Sequence, residues 1–393
     1  MDTIIIKIYS PNKFHIKDFS LFVPELEKRD FGRLSETEKR STRPYLRKFV
    51  LHAKKQEEYV PRVEIFETIT KDRKSLCYIL KIEFSAPKLL YWNSLQEVGE
   101  NDGEKIFNSL KSALANVNIL VGIETIKNAS VTSVHICKNI PLPRTIRMRE
   151  VINELSKIDI NKAFDISDKQ CKKGARILNI YSGTIDWSFY DKISDSMRPK
   201  NKRSDKNHID QERAFIEFHR LERTEVFRYE YRLKKNQTVK REINKILGRE
   251  YKTSVCFIDL FTKNLLKTVL INSWQEITAS SENQLSFFDT IDKLKLLMHI
   301  FTKAKEQNNN AHSMNNAFIS YGITRAIQDH GVKEIKGLLS DLWSTDHPER
   351  FTKKVKIASE LTNGLPYSNN ITFIDNAIKR YELISLTSLK NGI

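Results

Sequence analysis

Residues 186–193, with the sequence DWSFYDKI, hold side chains that could perform nucleophilic chemistry on a phosphate. Successive side chains of a strand point to opposite faces, so the segment would place Tyr190 on one face and the apolar Trp187 and Phe189 on the other. A tyrosine hydroxyl has an ordinary pKa of about 10 and is a weak nucleophile near neutral pH. Lys192, two residues away on the same face, would favour the phenolate and could contact a phosphate. The alternative is a structural tyrosine on the solvated face of an edge strand.

Three other segments with strand-like sequences each offer one candidate metal ligand. Glu83 in LKIEF, His135 in SVHIC and Glu230 in RYEYR each point away from the apolar neighbours in their own strand. Two carboxylates and an imidazole would suit Mg²⁺ or Mn²⁺, which could polarise a scissile phosphate. Structural alternatives stay open for these residues. A lone histidine on a strand is more often a hydrogen-bonding residue, and Glu230 shares its face with two arginines that could form salt bridges with it.

The elements that must position these residues are mostly strands in the first two-thirds of the chain. Segments rich in Ile, Val, Phe and Tyr predict strands, and they occupy residues 3–9, 45–52, 62–70, 76–85, 130–137, 177–182, 187–193 and 225–233. Helical spacing of apolar residues predicts helices over residues 105–117 and 148–158. The candidate residues therefore fall on a β-rich unit. We expect this unit, residues 1–237, to be the catalytic domain.

From about residue 238 onward the pattern becomes helical. Amphipathic helices are predicted over residues 239–247, 257–274, 285–302, 316–329, 332–342 and 351–360. The expected architecture is α+β, with a second, helical domain over residues 238–393. Its segment 316–360 has the short helices of a helix-turn-helix DNA-binding unit, although a plain helical packing unit would have the same pattern.

The balance of charge favours a polyanionic partner. The 393 residues include 66 Lys and Arg against 49 Asp and Glu, which gives a formal net charge of +17. Such a field attracts nucleic acid first. A membrane partner is not expected, because no window approaches eighteen apolar residues and no basic helix with an apolar face is evident. The four cysteines lie far apart and form no CxxC pair, which argues against a zinc-binding module. They also suggest a reducing compartment, and we expect the protein to be cytoplasmic.

A basic segment directly follows the candidate tyrosine. Residues 194–210 are polar and read as a loop, with five cations that we expect to contact DNA, namely Arg198, Lys200, Lys202, Arg203 and Lys206. A solvated surface excursion is the alternative.

Several short motifs occur in an order and spacing that resemble a known family. They are KIEFSAPKLLYWNSL, SVTSVHICKNI, LNIYSGTIDWSFYDKISD and VFRYEYRLKK, followed by FIDLFTKNLLKTVLINSW and ISYGITRAIQDHGVKEI. Together they resemble the replication initiators of filamentous phages and related plasmids, the gene-two-protein (II/X) family, over roughly residues 60 to 340. The chain departs from some relatives in having His135 where they have aspartate. It also lacks the His-hydrophobic-His pair of many other rolling-circle enzymes.

The resemblance implies a Rep-like catalytic domain with a mainly antiparallel sheet. It implies that Tyr190 is the nucleophile beside Lys192, that Glu83, His135 and Glu230 are ligands of Mg²⁺ or Mn²⁺, and that no ATP is used. The implied reaction nicks one strand at a replication origin through a 5′-phosphotyrosine and later re-joins it. Single- and double-stranded DNA, host helicase and host polymerase would be the partners, in the cytoplasm of a bacterial host.

Two other functions stay open. A relaxase or transposase would use the same nick-and-join chemistry on a different DNA site. A non-catalytic, origin-binding initiator would need the basic surface but no nucleophile.

Overall fold

The computed structural model describes most of the chain. The described residues are 1–10, 13–25, 47–51, 59–69, 76–160, 164–170, 176–198, 209–288, 293–307, 310–342 and 347–391. Within them no helix has the length and apolar character needed to cross a membrane.

Within the described residues, ten strands form an antiparallel sheet at the centre of the protein, and two further strands pair separately. The strands are β1 (Thr3–Tyr9), β2 (Phe14–Ile16), β3 (Phe22–Glu25), β4 (Arg47–Leu51), β5 (Arg62–Ile69), β6 (Leu76–Ser85), β7 (Ile119–Val121), β8 (Ser130–Pro141), β9 (Asp165–Gln170), β10 (Arg176–Tyr181), β11 (Ile185–Asp191) and β12 (Val226–Leu233). Their order in the sheet is β3-β4-β5-β6-β1-β8-β12-β11-β10-β9, while β2 and β7 pair separately. The first strand of the chain therefore lies at the middle of the sheet.

Helices occupy both halves of the chain. They are α1 (Ala86–Tyr91), α2 (Gly103–Ala115), α3 (Ile123–Lys127), α4 (Met148–Leu155), α5 (Lys192–Ser196), α6 (Ile209–Phe218), α7 (Asn236–Leu247), α8 (Leu265–Thr278), α9 (Ser281–Phe287), α10 (Lys293–Gln307), α11 (Ala311–His330), α12 (Val332–Leu342), α13 (His347–Thr362), α14 (Asn369–Arg380) and α15 (Leu386–Asn391). The α+β class, with a large antiparallel sheet and a helical C-terminal region, is confirmed.

The two faces of the sheet differ in character, because the strands alternate apolar and polar residues. One face carries the aromatic core, in which Phe189 stacks on Tyr229 with ring centroids 5.4 Å apart and Trp187 donates its indole N–H to the Ser273 carbonyl in α8. The opposite face carries the polar members of the same strands, including Ser188 and Tyr190. The sheet thus has one face for the core and another on which chemistry could take place.

Most of the helices after residue 237 fall into two packing groups, while Leu389 of α15 packs separately with Ile193 and Val226. Side chains of α7, α8 and α14 join the core of the sheet. Helices α9 to α13 instead form two small clusters, one around Leu285 and Ile327 and the other around Leu296 and Ile300. The turn between α11 and α12 needs Gly331, whose φ is +84° and whose added Cβ would lie 2.9 Å from the Lys157 carbonyl.

Some predicted boundaries were wrong for local reasons. The helix predicted over residues 257–274 is a short 3₁₀ turn, Phe257–Phe261, followed by α8, because Asn264 between them adopts a left-handed φ of 59°. The helix predicted over residues 285–302 is divided into α9 and α10. The strand predicted to reach residue 193 ends at Asp191, whose carboxylate accepts the backbone N–H groups of Ile193 and Ser194 and caps α5.

Candidate active site on the polar face of the sheet

The strand register brings the candidate residues onto one face. Ser188 of β11 lies opposite Glu230 of β12, Tyr190 lies opposite Arg228, and Arg232 lies opposite His135 of β8. Glu83 reaches the same face from β6, two strands beyond β8, because β1 lies between them. Residues paired across adjacent strands point to the same face, so the register alone gathers these side chains.

A cavity of about 410 Å³ opens on this face. Its lining includes the candidate nucleophile, its neighbouring lysine, the three candidate ligands and the first cation of the basic segment, which are Tyr190, Lys192, Glu83, His135, Glu230 and Arg198. Six residues chosen from sequence therefore line one space.

Tyr190 is buried in this cavity. The residue is only 8% exposed, and its hydroxyl donates a hydrogen bond to Glu230 Oε2 at 3.1 Å. Burial raises the pKa of Tyr190 well above its ordinary value, and the nearby Arg228 offsets this only in part. The alternative of a solvated tyrosine on an edge strand is wrong, since β11 lies between β10 and β12. The phenol is therefore protonated in the free protein and hydrogen-bonded to a carboxylate.

Glu230 is the centre of a buried polar network. Its Oε1 lies 3.2 Å from Nδ1 of His135, and its Oε2 lies 2.8 Å from a terminal nitrogen of Arg232 and 3.9 Å from Nε of Arg228. Burial by itself would raise the pKa of Glu230, but Arg232, His135 and Arg228 together hold it well below its usual range. The salt-bridge alternative for Glu230 thus describes contacts that exist in the structure.

Arg228 and Asp2 form an ion pair that the sequence did not suggest. The Arg228 side chain is fully buried and lies 2.5 Å from Asp2 Oδ2, while Ser85 donates to the other Asp2 oxygen at 2.8 Å. Burial would raise the pKa of Asp2, but Arg228 lowers it below its ordinary value. The sequence signal was an aspartate directly before an apolar strand, although nothing in the sequence linked it to an arginine in β12.

Lys192 lines the cavity from a helix instead of from the predicted strand. It is the first residue of α5 and is 5% exposed. Its Nζ lies 3.7 Å from Oε1 of Glu212, a fully buried residue of α6. The other carboxylate oxygen of Glu212 lies 3.9 Å from Nζ of Lys88. Two buried ammonium groups thus share one carboxylate at this end of the cavity. Glu212 and Lys88 were missed by the sequence reasoning.

The three candidate metal ligands do not form a ready-made cluster. Among the described residues, no group of three or more His, Cys, Asp or Glu side chains is arranged to hold a metal ion. Both oxygens of Glu230 are already engaged, and the two arginines beside it disfavour a cation at that point. Glu83 differs, because its carboxylate makes no hydrogen bond or ion pair within the described part of the chain. Nε2 of His135 likewise has no partner among the described residues, so Glu83 and His135 each keep a ligand atom free to bind an ion, whereas Glu230 does not.

The structure describes one of the five cations expected to contact DNA. Arg198 lies at the edge of the cavity with a terminal nitrogen 3.3 Å from Asp195 Oδ1. The other four predicted contacts, Lys200, Lys202, Arg203 and Lys206, lie outside the described residues.

Comparison of the chain with protein-family models, with curated proteins and with solved structures finds no match.

Proposed function

We propose that the protein is a rolling-circle replication initiator that nicks and re-joins one DNA strand through Tyr190. The observation that carries the proposal is the Tyr190–Glu230 hydrogen bond in a cavity whose lining also contains Lys192, Arg198 and Arg232. A tyrosine that only packs in a core needs no such set of cations. The sequence resemblance and the net charge of +17 favour DNA as the phosphodiester substrate.

The proposed step is a transesterification at phosphorus. The Tyr190 oxygen bonds to the phosphorus atom while the bond from phosphorus to the 3′-oxygen of the preceding nucleotide breaks. The phenol proton is lost to solvent as the new bond forms, and the leaving 3′-oxygen takes a proton from solvent. The product is a 5′-phosphotyrosine with a free 3′-hydroxyl that can prime synthesis, and attack by a 3′-hydroxyl on the phosphotyrosine reverses the step.

The surrounding charges have distinct parts in this scheme. The low pKa of Glu230 keeps its carboxylate ionised, so it accepts the hydroxyl hydrogen bond and orients the phenol. Arg232 and Lys192 are fixed by their carboxylate partners, and they would stabilise the negative charge that builds up on the phosphate during attack. Because Tyr190 is protonated in the free protein, deprotonation accompanies attack and does not precede DNA binding.

The proposal is tested by incubating the protein with supercoiled DNA and separating supercoiled from nicked circles after proteinase treatment. We expect nicked circles that carry a covalently attached peptide. A relaxase or transposase would give the same adduct at a different DNA site. Retarded but uncut DNA would instead favour the non-catalytic, origin-binding function.

A requirement for Mg²⁺ or Mn²⁺ remains a prediction, and substitution of Glu83 tests it. Nicking is expected to stop in EDTA and to return when Mg²⁺ is added in excess. Glu83→Ala should raise the Mg²⁺ concentration needed for half-maximal nicking by about 10-fold or more, because it removes the free oxygen ligand. Glu217→Ala on the exposed side of α6 is the matched control. Full nicking in EDTA would remove the metal from the scheme.

The basic segment after α5 gives a further prediction. Replacing Arg198, Lys200, Lys202, Arg203 and Lys206 with Gln or Ser should weaken binding to all DNA sequences alike, because phosphate contacts position the substrate without reading its sequence. The slope of log affinity against log salt should fall by about 0.7 for each phosphate of a single strand that the variant no longer neutralises. A variant with the parent's affinity, slope and nicking rate would place the segment away from the substrate.

A further inference from the structure

A second group of cations lies on the same face of the sheet, beyond the Glu83 end of the cavity. Lys81 is two residues before Glu83 in β6, so it points to the same face at a distance of about 7 Å along the strand. Lys7 of β1 lies opposite Lys81 on one side, and Glu64 of β5 lies opposite it on the other. The polar face therefore continues from the cavity into this second group without a change of side.

One buried carboxylate is surrounded by cations there. Glu64 is 4% exposed and lies 2.8 Å from Lys81, 3.0 Å from Arg62 and 3.6 Å from Lys48. Lys7, the fourth cation, makes no hydrogen bond or ion pair of its own within the described residues. We call these four cations the Lys7 cluster.

The electrostatics of the Lys7 cluster show an excess of positive charge. The pKa of Lys7 lies below its ordinary value, first because the side chain is partly buried and second because Lys81 carries a like charge. Glu64 acts in the opposite direction but does not compensate. A bound anion would relieve this repulsion.

An exposed aromatic ring adjoins the cluster. Tyr9 is two residues after Lys7 in β1 and is 44% exposed. Lys7, Tyr9 and Lys13 line one groove of about 320 Å³, together with Glu124, whose carboxylate is paired with Lys127 at 3.3 Å. A positively charged groove beside an exposed ring is the combination with which proteins hold single-stranded nucleic acid, since phosphates contact the cations and a base stacks on the ring.

We propose that the Lys7 cluster and Tyr9 bind the backbone and a base of single-stranded DNA that extends from the Tyr190 cavity. The inference rests on the proposed function for the identity of its substrate. A flat anionic membrane is disfavoured as the ligand of the Lys7 cluster. Lys48 and Lys81 are recessed in the sheet face, and their side chains are only 15% and 26% exposed.

The test measures binding without cleavage. In a Tyr190→Phe background, the Kd for a fluorescent single-stranded oligonucleotide is determined by anisotropy over a salt series. Lys7→Gln should raise the Kd by about 10-fold and lower the salt slope by about 0.7. Its melting temperature should not fall, because the change removes an uncompensated cation. Lys105→Gln, in α2 on the other face of the sheet, is the matched control and should change neither quantity, because its side chain is 72% exposed and lies outside the groove.

Substitution of Tyr9 gives a second test that is independent of Lys7. Tyr9→Ala should raise the Kd by about fivefold or more and Tyr9→Phe should restore it, because stacking needs the ring and not the hydroxyl. The proposal is overturned if Lys7→Gln and Tyr9→Ala bind like the parent, or if Lys7→Gln weakens binding no more than Lys105→Gln does. Weaker binding to phosphatidylserine vesicles with unchanged oligonucleotide binding would assign the cluster to a membrane instead. Because no cleavage is measured, these outcomes are independent of whether Tyr190 is the nucleophile.

Discussion

Tyr190→Phe is expected to abolish nicking while leaving the fold and DNA binding nearly intact. The substitution removes only the hydroxyl, which is the attacking group in the proposed reaction, so the rate should fall by at least on the order of 10⁴-fold. The ring keeps its place in β11, and Glu230 keeps its contacts with Arg232 and His135. Removal of the one hydrogen bond to Glu230 should change the free energy of unfolding by no more than about 1–2 kcal/mol.

Tyr181→Phe is the matched control for this experiment. Tyr181 lies on the polar face as the partner of Asp186, is 38% exposed and does not line the cavity. The measurement is the initial rate of conversion of supercoiled to nicked circles, together with the melting temperature of each variant. If Tyr181→Phe abolishes nicking and Tyr190→Phe does not, the nucleophile has been assigned to the wrong tyrosine.

Glu230→Ala should produce the largest loss of stability among the cavity residues. Removing the carboxylate leaves the charges of Arg228 and Arg232 without this partner in a buried site, which should cost about 3–5 kcal/mol in the free energy of unfolding. Nicking should fall as well, since Tyr190 would have no hydrogen-bond acceptor at this position. Asp186→Asn, on the same face of β11, is the control. Its partner Lys234 is about one-third exposed, so a loss of no more than about 1 kcal/mol is expected.

The pH dependence of stability gives this prediction a second readout. The native pKa of Glu230 lies below its unfolded value, so the stability from its ionised form is complete above the ordinary carboxyl pKa of about 4.3. That stability is lost as pH falls from there toward the native pKa. The stability gap between the parent and Glu230→Gln, from chemical denaturation, should therefore narrow below about pH 4. A gap of equal size at about pH 7 and about pH 3 would mean that charge on Glu230 contributes little.

The strands were the most predictable part of the fold. Alternation of apolar and polar residues identified β1 and β6 to the residue, because a sheet with one buried face imposes that period on each strand. The pattern failed for β9, whose sequence DISDKQ is mostly polar and lies at the edge of the sheet. It also failed where a backbone feature interrupts an apolar run, as Asn264 does before α8.

The site was predictable in its members but not in its contacts. Alternation placed Tyr190 and Glu230 on the polar face of their strands, and strand order then brought them together. Burial of Tyr190 was not visible in the sequence, because α5 packs against β11 and β12 there, and residues 194–210 were predicted to be a loop. The Asp2–Arg228 pair joins residues 226 positions apart, and only the register of β1, β8 and β12 determines that they meet.

Identification of the DNA-linked residue tests the central claim most directly. The protein is incubated with single-stranded oligonucleotides of random sequence, treated with nuclease and trypsin, and analysed by mass spectrometry. The tryptic peptide 177–192 contains both Tyr181 and Tyr190, so fragmentation must assign the modified side chain. The proposed function predicts a nucleotide joined through a 5′-phosphate to Tyr190. A nucleotide on another residue, or cleaved DNA with no modified peptide, would contradict it.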